Sequence, residues 1–302
     1  FVGGGTTPQC HGQSDEKRCK GAICFNKCIN GRQLLYFYTP YHIYHMITTN
    51  ITAPQAKRDP KTLITHGDQR IDEYFWLNNR ENPEVIAYLN AENEYTKAVM
   101  ADTKVFQDDL YTEMVARFKQ DDQSVPYFDN GYWYQNRFEE GAEYPFHTRK
   151  KGQQDAPEEI ILNVPEMATG QSYFAIGSKS VSHDNRYLAF GQDTVSRRIY
   201  TIRVRDLETG AFLSDEIPNT TGVAVWAKDN LHFFYTAKDP QTLRGYKIFR
   251  HKLGTATEAD VEVFHEADET FDLGVGQSKS KKFILIGSQQ TISAEYLFLD
   301  AS

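Results

Sequence analysis

The chain has 302 residues, room for one large domain or two ordinary ones, and carries a formal net charge of −8 from 33 Lys and Arg against 41 Asp and Glu. An acidic chain without a basic stripe argues against a nucleic-acid partner. No stretch is long and apolar enough to cross a membrane as a helix.

Residues 1–45 differ from the rest. All four cysteines, Cys10, Cys19, Cys24 and Cys28, fall there, and the first methionine is Met46. The cysteine spacing matches no ordinary zinc pattern, and His42 with His45 is a weak pair amid tyrosines. No apolar run of signal-peptide length precedes a cleavage site. The reading adopted is that Met46 is the natural start and residues 1–45 are an upstream, non-native leader without a fold. Beyond Met46 there is no cysteine, which makes a disulfide-dependent fold or a thiol enzyme implausible and the cytoplasm the expected location.

Ile64 to Asn79 is aromatic and reads as extended. Asn82-Pro83-Glu84 then gives a helix start, with a capping amide, a proline in the first turn and an acid at the positive end. Val85, Tyr88, Tyr95 and Val99 recur at helical spacing. A second helix is predicted from about Thr103 to Phe118, with Phe106, Leu110, Met114 and Phe118 forming an apolar packing stripe. Val125-Pro126 ends the helical part, so residues 46–121 form a helical segment and a strand-rich region fills 122–302. The junction is placed at Asp121 to Ser124.

From there the pattern is strand and turn, and it repeats. Asp129-Asn130-Gly131 precedes Tyr132 to Tyr134, with Tyr144 to Arg149 as partner. Asp184-Asn185 precedes Tyr187 to Phe190, followed by Ile199 to Val204 and the turn Asp206 to Gly210. Asp229-Asn230 precedes Leu231 to Tyr235, a run apolar enough to be buried on both faces. Tyr246 to Leu253 follows with alternation: Tyr246 and Ile248 face one way, Phe249 and Leu253 the other. Lys281-Lys282 precedes Phe283 to Ile286, then Glu295 to Leu299. A period of roughly 40–50 residues made only of strands and turns suits propeller blades. An ordinary β-sandwich also shows strands every 8–12 residues. The long period, repeating with its parts in order, favours the propeller.

The chemistry-bearing residues do not compose an active site. A nucleophilic serine needs a G-x-S-x-G turn between strand and helix. Ser172 and Ser278 come nearest, but both lack the final glycine and neither leads into a helix. His183, His232, His251 and His265 sit beside or within strands, where hydrogen-bonded or surface imidazoles are the usual outcome. Asp121-Asp122 and Asp268-Glu269 read as solvated turn residues. There is no phosphate loop and no metal-ligand cluster. No catalytic, cofactor-binding or metal-binding residue is assigned, and no cofactor is expected.

Several segments in order carry a resemblance: HGDQRIDEYFWL (His66 to Leu77), YLNAENEYT (Tyr88 to Thr96), LYTEMVARFKQDDQSVPY (Leu110 to Tyr127), EGAEYPFHTRKK (Glu140 to Lys151), RIYTIRVRDLETG (Arg198 to Gly210), YKIFRHKLGT (Tyr246 to Thr255) and ETFDLGVGQSKSKKFILI (Glu269 to Ile286). The chain from about Leu63 onward resembles the N-terminal part of the oligopeptidase B branch of the prolyl oligopeptidase family of serine peptidases. The resemblance implies a mainly β fold: an incomplete seven-bladed β-propeller of about four blades over 122–302, after a helical segment that would wrap an α/β-hydrolase domain. It implies that the hydrolase domain and its Ser, Asp and His lie outside this sequence, so no triad residue is carried over and the fragment alone is expected to be inactive. It implies hydrolysis of short peptides after Arg or Lys, the propeller limiting substrate size, with short basic peptides and the hydrolase domain as partners. A non-catalytic propeller binding module, or a prolyl or dipeptidyl peptidase of the same family, are the alternatives.

Overall fold

The computed structural model describes residues 51–302 and, before them, only the backbone of three antiparallel strands, β1 (Lys17–Cys19), β2 (Ala22–Ile29) and β3 (Arg32–Tyr38). Apart from that backbone, the reading of residues 1–45 as a leader, with its cysteines and His42 and His45, lies outside the described residues. The chain divides into two compact units, Phe1–Arg117 and Phe118–Ser302. No helix among the described residues is long and apolar enough to cross a membrane.

In the first unit, β4 (Lys61–Thr65) and β5 (Asp68–Asp72) form a hairpin. Its turn is His66-Gly67, both in the left-handed region at φ 51° and 82°, which glycine adopts freely. The extended run foreseen from Ile64 to Asn79 is therefore broken twice, here and at Phe75–Asn78, which coils into one 3-10 turn. Helix α1 (Pro83–Val99) starts as its signal indicates: the Asn82 side chain accepts the Glu84 N–H, Pro83 opens the first turn and Lys97 closes the last. Helix α2 (Lys104–Val115) stops short of Phe118. Its stripe is not a packing face among the described residues: Phe106, Leu110, Met114 and Phe118 are 43% to 70% exposed.

The second unit is mainly β. Strands β6 (Tyr127–Asp129), β7 (Tyr132–Arg137), β8 (Phe146–Lys151) and β9 (Glu158–Asn163) make an antiparallel sheet in sequence order, the first blade. One helical turn follows, α3 (Val164–Met167), where the sequence reading allowed only strand and turn. Its start signal, Asn163 capping Glu166 with Pro165 in the first turn, is of the same kind as that of α1.

A seven-stranded sheet comes next: β10 (Ala175–Val181), β11 (Tyr187–Asp193), β12 (Tyr200–Asp206), β13 (Phe212–Trp226), β14 (His232–Lys238), β15 (Gly245–Lys252) and β16 (Val261–His265), again in sequence order. It is two four-stranded blades sharing one long strand. The first part of β13 pairs with β12, and from Thr220 onward it pairs with β14. At the changeover Gly222 has φ 81°, and a Cβ on Gly191 would lie 2.5 Å from the Gly222 Cα. Only glycine at both positions lets the crossing strand lie on β11. The fourth blade holds β17 (Asp272–Gln277), β18 (Phe283–Gln289) and β19 (Ala294–Asp300).

The core is three apolar layers, each between successive blades. Tyr134, Ile161 and Leu162 of blade 1 meet Leu188 and Phe190 of blade 2. Ala189, Ile202, Val204 and Ile217 meet Ala224, Trp226, Phe233 and Tyr235 of blade 3. Val225, Phe234 and Ile248 meet Leu273, Val275, Ile284 and Ile286 of blade 4. Strand alternation explains the division: Phe233 and Tyr235 leave β14 on one face, Phe234 on the other. Ile248 and Phe249 split the same way, as their sequence pattern indicates.

Phe233 is fully buried, so Phe233→Ala is expected to lower the unfolding free energy by roughly 3–5 kcal/mol. Gly191→Ala is expected to lower it by about 1–3 kcal/mol by overpacking against Gly222, although it adds a single methyl group. Phe298→Ser, on an exposed side chain, should change it by less than about 0.5 kcal/mol, all three read from urea titrations.

Candidate functional site

The turn between the first two strands of each blade carries the same device. Asn130, Asn185, Asn230 and Lys281, the residues marking the sequence repeat, all have left-handed φ values of 46°, 66°, 59° and 57°. In blade 2 the Asn185 N–H donates to the Ser182 carbonyl and the Tyr187 N–H to the Ser182 hydroxyl. In blade 4 the Lys281 N–H donates to the Ser278 carbonyl and the Phe283 N–H to the Ser278 hydroxyl. Blade 3 has Ala227 in place of that serine, and the Asp229 carboxylate accepts the Leu231 and His232 N–H groups instead.

These turns are tied to one another. The Asn130 amide donates to the His183 carbonyl at 2.8 Å, and the Asn185 amide to the Asn130 carbonyl at 3.2 Å. The Asp184 N–H donates to Asn230 Oδ1 at 3.0 Å, linking blades 2 and 3. The Gln277 amide lies 3.3 Å from both the Trp226 carbonyl and His183 Nε2. Lys281 Nζ reaches both Asp129 carboxylate oxygens, at 2.7 and 2.8 Å, joining blades 4 and 1.

Beside this network lies a pocket of about 180 Å³, walled by blades 1 and 2 and rimmed by Asp129, Gln277 and Lys281. Its residues include His147, 6% exposed, whose Nδ1 lies 2.6 Å from Asn136 Oδ1. Asn136 Oδ1 can only accept, so Nδ1 carries the proton and Nε2 is the acceptor. Burial, and then the nearby Lys179 ammonium, push the His147 pKa down to about 3, so the ring is neutral at physiological pH. Lys179 is exposed overall, yet the protein around its ammonium lowers its pKa by desolvation.

A second cluster is sealed from solvent. His251 on β15 is fully buried, with Nε2 2.9 Å from Asp215 Oδ1 and Nδ1 2.7 Å from Asp260 Oδ1. Asp215 also accepts the Gly254 N–H, and the Tyr235 hydroxyl donates to Asp260. Burial pulls the His251 pKa down, but the hydrogen bonds to the two aspartates outweigh it and the net shift is upward. Burial raises and the His251 and Gly254 contacts lower the Asp215 pKa, with a net fall. Burial and the Asp260 bond push the Tyr235 hydroxyl up. An imidazolium held by two carboxylates where no substrate can enter acts as a tie between the blade 2 part of β13 and blade 3.

The remaining residues weighed in the sequence have local roles. Ser278 belongs to its turn, and its hydroxyl lies 3.2 Å from that of Ser280. Ser172 sits in an exposed loop between α3 and β10. His183 belongs to the turn network, and His232 pairs with Asp229 in its own turn. His265 ends β16 at the surface. Asp122 accepts the Gln123 N–H and Asp268 the Thr270 N–H. Asp121 pairs only with Lys119 at 3.5 Å, and Glu269 is exposed. Among the described residues no group of three or more His, Cys, Asp or Glu side chains is placed to hold a metal ion. Sequence reasoning passed over His147 and Lys179. Alternation on β8 marked neither, since Phe146 and Thr148 on one face and His147 and Arg149 on the other are all buried.

Four-stranded antiparallel sheets following one another in chain order, with an apolar layer between each pair, define a β-propeller. The chain belongs to the prolyl oligopeptidase family: residues 54–302 match the family's description "Prolyl oligopeptidase, N-terminal beta-propeller domain". It is 42% identical over 270 residues to dipeptidyl aminopeptidase BI of Pseudoxanthomonas mexicana, covering 82% of this chain and 37% of that one. It is 34% identical over 254 residues to Protease 2 of Moraxella lacunata, with the same coverage of 82% and 37%. Among solved structures, oligopeptidase B from Leishmania major superposes with a TM-score of 0.76 at 29% identity, over 83% of this chain and 38% of that one. Oligopeptidase B from Trypanosoma brucei does so with 0.74 at 27% identity, with the same coverage of 83% and 38%. The chain thus spans a little over a third of the length of the relatives it matches.

The two buried histidines predict opposite pH limits. The folded pKa of His147 is depressed, so its contribution is present above the unfolded value near 6.5 and is lost as pH falls toward about 3. The folded pKa of His251 is raised, so its contribution is full below pH 6.5 or so and is lost as pH rises through the folded value. Thermal midpoints measured across pH 4 to 9 should fall on both sides. His251→Gln should flatten the alkaline limb and leave the acid limb in place.

Proposed function

We propose that this chain is the propeller part of a serine oligopeptidase that hydrolyses short peptides after Arg or Lys, with the propeller restricting what enters. The observation that carries the reading is the order of the blades between 127 and 300 together with the family match over 54–302. Acyl transfer needs a serine, a histidine to take its proton and a group to orient that histidine. Ser278 is committed to its turn and Ser172 to an exposed loop. The reading therefore places the triad in a hydrolase domain outside these residues. The apolar stripe of α2 supports it: Phe106, Leu110 and Met114 present a face that such a domain would cover. The cytoplasm is the proposed location, on the strength of a chain free of cysteine beyond Met46.

A dipeptidyl preference is the second reading. It is favoured by the 42% identity to a dipeptidyl aminopeptidase, against 34% for Protease 2. A non-catalytic binding module is a third possibility, which predicts further blades without a hydrolase domain.

This chain alone is expected to release no chromophore from an Arg-containing peptide p-nitroanilide. Turnover by the purified chain, abolished by Ser172→Ala or Ser278→Ala, would overturn the proposal. The product of the gene read beyond Ser302 is expected to cleave it. Comparing a blocked Arg p-nitroanilide with a free-amino dipeptide p-nitroanilide on that product separates the two specificities: endopeptidase action tolerates the block, and dipeptidyl release does not.

A further inference from the structure

We propose that the pocket between blades 1 and 2 binds the C-terminal residue of a peptide, its carboxylate on Lys179 and its amide N–H on His147 Nε2. The pocket's charges carry the first half. Of the two lysines lining it, Lys281 is already paired with Asp129, whereas the Lys179 ammonium feels only burial, with no neighbouring carboxylate raising its pKa. Among the described residues the pocket therefore holds one lysine without a carboxylate in salt-bridge reach, and an anion beside it gains a charge-assisted hydrogen bond.

The second half comes from the histidine. Its Nδ1 is committed to Asn136, so the neutral ring offers one lone pair, at Nε2, and no proton. A ligand must therefore present a carboxylate and, beside it, an N–H donor. The last residue of a peptide has both on neighbouring atoms. Bare acetate would leave the imidazole unsatisfied. A free amino acid would bring its own ammonium close to that of Lys179. About 180 Å³ suits a ligand of one residue, and the Tyr134 ring and Ile161 offer apolar surface for a small side chain.

The test is binding to the 302-residue chain, followed by calorimetry with N-acetyl-L-alanine, N-acetyl-L-alaninamide, acetate and L-alanine. N-acetyl-L-alanine is expected to bind at least ten-fold more tightly than each of the other three. Lys179→Met should weaken it at least ten-fold, and Lys179→Arg should restore most of the loss. Lys179 is exposed, so both variants should keep the wild-type thermal midpoint; a Lys179→Met protein that stays folded and binds as well as wild type overturns the proposal. Equal affinity for the amide, equal affinity for acetate, or no heat from N-acetyl-L-alanine at tens of millimolar overturns it as well. Binding is read without turnover, so a negative result leaves the peptidase reading of the longer protein standing, and an inactive longer protein leaves this site standing.

Discussion

Blades 2 and 3 bury both faces of their sheets, and that constraint shapes the rest. A half-buried strand needs one apolar residue in two. β11 and β14 need nearly all: Leu188, Ala189 and Phe190 are completely buried, as is Phe233, with Phe234 and Tyr235 almost so. Such a sheet cannot hold its fold alone, because either exposed face would put a row of large side chains into water. Stability therefore belongs to the stack and is shared by neighbours, as in other repeat architectures.

Two-sided burial leaves little room for polar anchoring inside the layers, so the blades are fixed to one another at their margins. The turns of Asn130, Asn185 and Asn230 do this with side-chain amides that bond the backbone of a neighbouring turn, Asn130 that of the turn after it, Asn185 and Asn230 that of the turn before. Arg149 does it from within blade 1: it is 4% exposed, forms a two-pronged pair with Glu159, and donates to the Asn185 carbonyl across the gap. Arg244 donates to the carbonyls of Glu266, Asp268 and Phe271, gathering the link into blade 4. In the buried Asp215, His251 and Asp260 set three titratable side chains meet in the interior, and each has a partner there.

Much of this was legible in the chain. The repeat was visible because each blade needs a left-handed residue at the same turn, and asparagine fills that need three times. Helix α1 was legible from Asn82-Pro83-Glu84, since a cap is a local event. The apolar stripe of α2 was visible, but whether anything covers it is not written in α2. The merging of two blades through β13 was not foreseen, because it depends on Gly191 and Gly222, far apart in sequence, meeting in space. The pocket was missed for a related reason. Nothing local marks His147 or Lys179 as neighbours; the packing of blade 1 against blade 2 brings them to one pocket.

The shared strand β13 also bears on how such a propeller could breathe. Blades 1 and 2 are joined through a helical turn and a loop, and blades 3 and 4 by the stretch after His265. Blades 2 and 3 have no such slack: fifteen residues of continuous strand run through both, with the crossing point locked between two glycines. Parting blade 2 from blade 3 would mean bending that strand. Any parting of the ring would fall at the seams on either side of that pair, and one of those seams borders the pocket of Lys179 and His147.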